Sequence, residues 1–459
     1  MIFNTFAYFI LFLVPAAILF RLVGSAAQKW VCAAFGAAFF VFFSLTQIGG
    51  VAGACCLGIF LWESAFSRLY KERSFFCLIG IGQALAFLII FKYWNFFTGL
   101  IFPSAHNPVV WSSAFLPLGI SFFTFEFIHY AVDRYRGKTT AGSFGDYMSF
   151  ILFFPTMVAG PIKRYQDFRP KLLNPSLDWD RDWQLGSTRI LVGLAKKFVV
   201  ADLLTAFTNH LTIPDIARAQ RWVLPFWLLA YGMKIYFDFS AYSDIAIGSA
   251  RLFGIRVPEN FDWPYLQRNI SEFWQHWHMS LYRWLVDYVF IPLGGSRTAQ
   301  PRVYLNVLIT MFLSGLWHGA GLNFVVWGLW HGMLLAGHRG WKAWRERKAP
   351  TSNIQHPEKL QIPSSKATDL SPENCGTQLA GARTALSAPS LRTLAIEEVA
   401  SLAGTSAADR AVRAPFASWP AMKKAASWGL TFVMVNLGWA FFCMDLRTAM
   451  FFFRRLLIG

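Results

Sequence analysis

What most limits the fold of this chain is the recurrence of apolar stretches long enough to cross a bilayer. They occur at about 6–22, 30–63 (interrupted by Gly49-Gly50), 75–93, 114–132, 188–213, 221–253, 303–338 and 426–443. A helical crossing needs roughly 17–25 such residues, and a membrane accepts only backbone that satisfies its own hydrogen bonds. Shorter apolar runs near 148–162 and 283–293 suit re-entrant or interfacial segments. Composition agrees: 55% of the 459 residues are hydrophobic, only 15% are charged, and the mean hydropathy is +0.39, outside the range of a soluble domain. The expected fold class is an all-α polytopic membrane protein.

The formal charge of +17 would suit a nucleic-acid binder, but its distribution argues otherwise. Basic residues gather just beyond the apolar stretches: Arg21 and Lys29, then Arg68, Lys71 and Arg73, then Arg134, Arg136 and Lys138, whereas 94–113 holds no charged residue. This is the positive-inside pattern. It places the N-terminus and 94–113 outside and the three basic loops in the cytoplasm, with 30–63 as a hairpin, and no nucleic acid is expected as a partner. The opening segment lacks a basic region before its apolar core and is not read as a cleaved signal peptide.

Cys32, Cys55, Cys56, Cys77, Cys375 and Cys443 show no CxxC or zinc-ligand spacing, and all but Cys375 lie in apolar segments. They read as small apolar helix residues. Residues 349–415 contain no Phe, Trp, Tyr or Met. Such a segment buries too little to offset its ordering entropy. The expected organisation is therefore a membrane core over 1–348, a flexible polar insertion over 349–415 with a short helix at Arg392–Ala403, and C-terminal helices over 416–459. Arg339–Lys348 and Arg447, Arg454 and Arg455 pull both ends of the last span toward the cytoplasm, so a second crossing or an interfacial helix is expected within 444–459.

Ionisable residues at membrane depth are costly and mark candidate sites. Asp238 and Asp244 fall in YFDFSAYSDIAIG (236–248); six residues of helix turn them to different faces, as buried acids held by hydroxyl, backbone or Arg donors or as the lining of a polar cavity. His276 and His278 form an HxH pair that would face different ways in a helix, with no further ligands for a metal. His129 and Asp133, spaced HxxxD, read as an interfacial polar pair ending a membrane helix. No G-x-S-x-G elbow, P-loop or GxGxxG occurs.

The pentapeptide GLWHG appears twice, in GLWHGAGLNFVVWGLWHG (315–332). Thirteen residues of unbroken helix would separate His318 from His331 by about 20 Å, so the two cannot share a site unless the helix breaks. Gly319-Ala320-Gly321 supplies a plausible break. It would leave His318 at an unwound point, better placed to meet a substrate than His331.

At LPLGISFFTFEFIHYAVDRYRG (116–137), FFPTMVAGPIKRYQDF (153–168), YFDFSAYSDIAIGSARLFGI (236–255), NFDWPYLQRNISEFWQHWHMSLYRWLVDYVFIPLGG (260–295), LSGLWHGAGLNFVVWGLWHG (313–332) and LGWAFF (437–442), the chain resembles the membrane-bound O-acyltransferase family. Within it, the likeness is to the branch of the alginate O-acetyltransferase membrane subunit and the teichoic-acid D-alanyl transferase. The resemblance implies a multi-helix bundle with a central funnel or passage, in the inner (plasma) membrane. His318 matches the family's characteristic histidine and His278 its second one. Asp238, Ser240, Tyr242, Asp244, Trp317, Asn323 and His331 are expected to line or support the passage. The insertion at 349–415 departs from the family pattern.

A neutral imidazole suits the chemistry implied, in which a base takes a hydroxyl proton while donors stabilise the oxyanion of an acyl transfer. His318 would be that base; His278 would orient substrate, donate a hydrogen bond or support the passage. The donor would be a cytoplasmic thioester, acetyl-CoA or an acyl carrier protein, with no metal and no tightly bound cofactor. The acceptor would be an extracytoplasmic polysaccharide, reached directly or through a periplasmic or extracellular acetyltransferase partner. Acylation of protein or lipid by the same machinery is an alternative. So is a transporter or channel for the donor, though no inverted repeat is detectable.

Overall fold

The computed structural model describes residues 3–47, 58, 61–63, 65–69, 74–101, 119–158, 160–175, 177–348 and 419–458, and among these every regular element is helical. The insertion 349–415 with the helix expected at Arg392–Ala403, the Gly49-Gly50 break, all of 102–113, and Cys55, Cys56 and Cys375 lie outside the described residues. Contacts divide the chain into two units, Met1–Lys342 with Ser427–Gly459, and Ala343–Ala426. The functional residues lie in the first.

The order begins with α1 (Val14–Leu22), α2 (Ser25–Gln47), α3 (Ser74–Leu88), α4 (Trp94–Ile101), α5 (Ile120–Tyr135), α6 (Phe144–Ile151) and α7 (Tyr165–Leu173). It continues with α8 (Trp179–Ala195), α9 (Asp202–Thr208), α10 (Ile213–Arg218), α11 (Leu224–Leu252), α12 (Ile270–His276) and α13 (Met279–Leu285). The last are α14 (Gln300–His318), α15 (Leu322–Lys348), α16 (Trp419–Cys443) and α17 (Leu446–Leu457).

Among the described residues, Ser25–Phe43, Phe75–Gly99 and Met422–Cys443 are long and apolar enough to cross a membrane. Their surfaces suit lipid: Phe75 and Leu78 are each more than 60% exposed. The other expected stretches carry more charge or bend. The stretch 188–213 starts inside α8 and passes through a π-helical turn into α9, and 303–338 is two helices. At the C-terminus, α17 is 12 residues long, about 18 Å, too short for a crossing. Asp445 caps it, accepting from the Thr448 N–H at 3.0 Å. Of the two alternatives for 444–459, the short non-crossing helix is the one found.

π-helical turns lie at Tyr8–Leu13, Ile89–Tyr93, Lys196–Ala201 and Val286–Phe290. Each carries polar side chains that reach another element. Tyr8 donates to Ser249 at 2.9 Å, Lys92 to Ser121 at 3.1 Å, Lys196 to Asp244 at 2.6 Å, and Tyr288 to Asp133 at 2.6 Å. An extra residue in the turn shifts the side-chain register, and such turns concentrate at functional places.

The α8–α11 pair packs backbone on backbone. A β-carbon on Gly186 would fall 2.9 Å from the Gly248 carbonyl oxygen, and one on Gly248 2.6 Å from that of Gly186. Small residues permit this approach in membranes, where packing replaces the hydrophobic drive between helices. The basic segments 21–29 and 134–143 meet at one end of the bundle, where Lys29 donates to Ser143 (3.1 Å) and Asp146 (3.2 Å).

Candidate functional site

The break at Gly319 is present: α14 ends at His318 and α15 starts at Leu322. Gly319 is extended (φ −167°), a conformation open to any residue; what requires glycine there is space, since a β-carbon would lie 2.0 Å from the Phe324 ring. His318 is partly buried, its ring 4.8 Å from that of Trp317 and 5.0 Å from those of Trp327 and Phe442. His331 is fully buried, 5.0 Å from Trp327 and 5.2 Å from Trp274, and neither ring nitrogen has a hydrogen-bond partner. The two histidines thus both pack on the Trp327 indole.

His276 and His278 do not share a helix. His276 closes α12; His278 precedes α13 in the left-handed region (φ 43°). The chain reverses between them. His276 Nδ1 bonds the Glu272 carbonyl at 2.8 Å and its Nε2 lies 3.7 Å from Asp262. His278 is 1% exposed, with its ring 4.7 Å from Phe239 and 6.1 Å from Trp317 and no hydrogen-bond partner on either nitrogen. His278 and His318, from separate helices, therefore border the same indole.

Asn260 sets the backbone that holds His278. Its carbonyl accepts from Met279 N–H (2.9 Å), its side-chain oxygen from Ser280 N–H (3.3 Å) and Oγ (2.6 Å), and its amide donates to Ser243 (3.1 Å). These bonds satisfy a buried amide and fix the start of α13.

The α11 residues serve two purposes. Asp244 is buried between Arg189 and Lys196, each at 2.6 Å, and Asp238 pairs with Lys197 at 3.0 Å. Lysines supply donors that the sequence reading did not assign. Ser240 and Asp244 line a cavity of about 360 Å³ with Arg189, Lys196, Tyr236 and Phe261. Tyr242 packs edge-on against Phe3 at 6.0 Å, and Asn323 donates to the Phe441 carbonyl at 3.1 Å, next to the Phe442 that touches His318.

His129 and Asp133 are wholly buried within the protein and bond different partners rather than each other. His129 takes the Phe125 carbonyl (3.1 Å) and the Tyr165 N–H (3.3 Å), while Asp133 accepts from Gln166 (2.9 Å) and Tyr288 (2.6 Å). Tertiary packing, invisible in a four-residue spacing, draws them into the core.

Sequence reasoning did not find a basic pocket of about 430 Å³ whose wall includes Ser280, next but one to His278. Lys163, Arg164, Lys171, Arg256 and Arg283 line it against only Asp167 and Asp287. Arg164 is paired with Asp287 and Lys163 with the buried Glu126; among the described residues, no carboxylate is within ion-pair distance of Lys171, Arg256 or Arg283. Also missed was Lys92, detectable as the lone charge between Ser74 and Ile101.

An all-helical membrane bundle with paired histidines on one indole describes a class, and comparison gives the family. The model of the membrane-bound O-acyltransferase family matches residues 113–358, and the chain belongs to that family. It is 40% identical to a Pseudomonas putida protein named "Probable alginate O-acetylase AlgI" over 272 residues, 58% of this chain and 55% of that protein. It is 33% identical to the peptidoglycan O-acetyltransferase of Helicobacter pylori over 314 residues, 61% of this chain and 56% of that protein. With the teichoic acid D-alanyltransferase of Bacillus subtilis it shares 28% identity over 296 residues, 62% of this chain and 72% of that protein. The chain spans little more than half the length of the AlgI protein it matches.

Proposed function

We propose that this chain transfers an acyl group, acetyl in the first instance, from a thioester to hydroxyl groups of a polysaccharide, with His318 as the base. The observation that carries this reading is the meeting of His318 and His278 at the Trp317 indole, beside a break that leaves His318 partly open. In the step, a hydroxyl oxygen bonds to the thioester carbonyl carbon while the His318 imidazole takes its proton. The tetrahedral intermediate then breaks its C–S bond, and the proton passes to the departing sulfur, leaving an ester and a free thiol. An unpartnered ring nitrogen of His278 supplies a donor to the oxyanion or orients the substrate. The names of the relatives, which describe acetyl or D-alanyl transfer to alginate, peptidoglycan and teichoic acid, support a polymer acceptor.

The donor fits the basic pocket at Ser280. Its surplus of cations suits the phosphates shared by coenzyme A and the prosthetic group of an acyl carrier protein. In this reading the protein is a multi-pass component of the inner membrane. The thioester arrives from the cytoplasm, and the glycan is acylated on the far side, directly or through a partner acetyltransferase. The step itself asks for no metal and no resident cofactor.

Purified protein incubated with an acetyl thioester carrying a radiolabelled acetyl group tests this. Free thiol should appear, and label enter the glycan, only when acceptor or partner is present. Intact thioester crossing a vesicle membrane without thiol release would instead establish a transporter.

A further inference from the structure

Lys92 is the lone charged residue between Ser74 and Ile101, inside a segment otherwise apolar enough to cross a membrane. A cation at that depth is costly and calls for a partner or a task. It lies in the π-helical turn Ile89–Tyr93. Its ammonium donates to the Trp317 backbone carbonyl and to Ser121 Oγ at 3.1 Å, and lies 5.6 Å from the centre of the Trp317 ring. The next residue, Tyr93, donates its hydroxyl to the Leu316 carbonyl. Two consecutive side chains therefore occupy two of the last carbonyls of α14, the helix whose final residue is His318.

A helix end exposes four carbonyls with no partner in the helix, and its negative dipole end favours a cation. Here that end must stay ordered up to its last residue, because Gly319 leaves in an extended conformation and the chain turns at once into α15. The ammonium spends its donors on a carbonyl and a hydroxyl and lies over an aromatic ring, contacts that fix a backbone.

We propose that Lys92 is a positioning residue for acyl transfer: with Tyr93 it holds the carbonyl end of α14 and so sets where His318 presents its imidazole. The inference rests on His318 being the base. Lys92→Met keeps the reach of the side chain and removes its charge, which lowers the cost of burial in lipid. A residue that merely packed would lose nothing by that exchange.

The test measures kcat and KM for the thioester by thiol release from the purified full chain in the presence of the glycan acceptor or partner. Lys92→Met should lower kcat roughly 10- to 100-fold, the size expected when a reacting group shifts by about 1 Å, with KM changed by less than about threefold. Lys92→Arg, which keeps charge and donors, should recover most of the loss. Wild-type kcat in Lys92→Met, a loss confined to KM, or no recovery in Lys92→Arg overturns the proposal. Should Lys92→Met give no monodisperse protein, Tyr93→Phe decides: it removes only the hydroxyl on Leu316, and a smaller loss confined to kcat supports the assignment while wild-type kcat overturns it. His318→Gln in the same assay separates the two readings. An active His318→Gln removes the base whatever Lys92 does, whereas an inactive one beside a fully active Lys92→Met overturns the positioning alone.

Discussion

Gly315 and Gly328, the first glycines of the two GLWHG copies, meet where α14 crosses α15. A β-carbon on Gly315 would lie 2.2 Å from the Phe324 carbonyl oxygen and 3.0 Å from the Gly328 Cα; one on Gly328 would lie 2.3 Å from the Met311 carbonyl oxygen. The closing glycines are contact points too, Gly319 against the Phe324 ring and Gly332 against Leu308 and Met311. The sequence repeat is thus a packing repeat, the two arms of a helical hairpin, and only one arm ends at its histidine. Because the obstacles are backbone atoms, Gly315→Ala should force the helices apart at a cost of roughly 1–3 kcal/mol. Thermal unfolding in detergent should show a lowered midpoint. Gly337→Ala on the same α15, where a β-carbon meets nothing within 4 Å, should leave the midpoint unchanged or raised. Equal midpoints for the two variants would show that the crossing tolerates a methyl group.

The two histidines of the repeat should separate stability from activity. His318→Gln removes the proposed base, which is partly open, so acyl transfer should fall by at least the roughly 10²–10⁴-fold attributed to acid–base catalysis, with amount and elution profile unchanged. His331→Gln alters a sealed aromatic box, where a β-carbon on Gly438 would already lie 2.7 Å from the ring nitrogen. It should lower the unfolding midpoint and lose far less activity. A dead His331→Gln beside an active His318→Gln would reverse the assignment of the base.

Asp146 ties α6 to cations from two other helices, taking Lys29 of α2 at 3.2 Å and Arg169 of α7 at 3.0 Å. Burial alone would raise its carboxyl, but bonds from the Ser143 hydroxyl and N–H, Arg169 and Lys29 outweigh that and hold it at about 2. A depressed value stabilises the fold above the unfolded value of 3.8, and that stabilisation is lost as pH falls toward about 2. The shift corresponds to roughly 2 kcal/mol. Asp146→Asn should therefore lower the midpoint equally at about pH 7 and pH 5, the gap to wild type narrowing only in stronger acid. A gap that closes already between those two values would assign the stabilisation to another group.

The helix break after His318 was legible because glycines state it locally, whereas the two alternatives for 444–459 were separated only by the twelve-residue length of α17, too short to span a bilayer. What stayed hidden depends on partners distant in sequence. Lys92 finds the Trp317 carbonyl 225 residues away, and one cation barely alters the hydropathy of its stretch. The acids of α11 read as buried groups or a cavity lining without named partners until α8 brings Arg189, and the π-helical turn after it Lys196 and Lys197, to them. The reversal between His276 and His278 was missed for the same reason. Nothing in QHWHMS asks for a left-handed residue; Asn260 imposes it through bonds to Met279 and Ser280.

That left-handed backbone sharpens the test of His278. Asparagine is among the few residues that accept a positive φ, whereas a β-branched side chain there is strongly disfavoured. His278→Asn should keep the reversal, the start of α13 and a hydrogen-bonding group near Trp317, and so retain acyl transfer within roughly tenfold of wild type, well short of the general-base loss. His278→Val should instead lower the yield of folded protein, because its cost falls on the backbone. The two variants together separate what the ring does from what the conformation does. Suppose His278→Asn elutes as wild type yet is as inactive as His318→Gln. The imidazole of His278 would then take part in proton transfer, and the base would have to be assigned to the pair of histidines on Trp317.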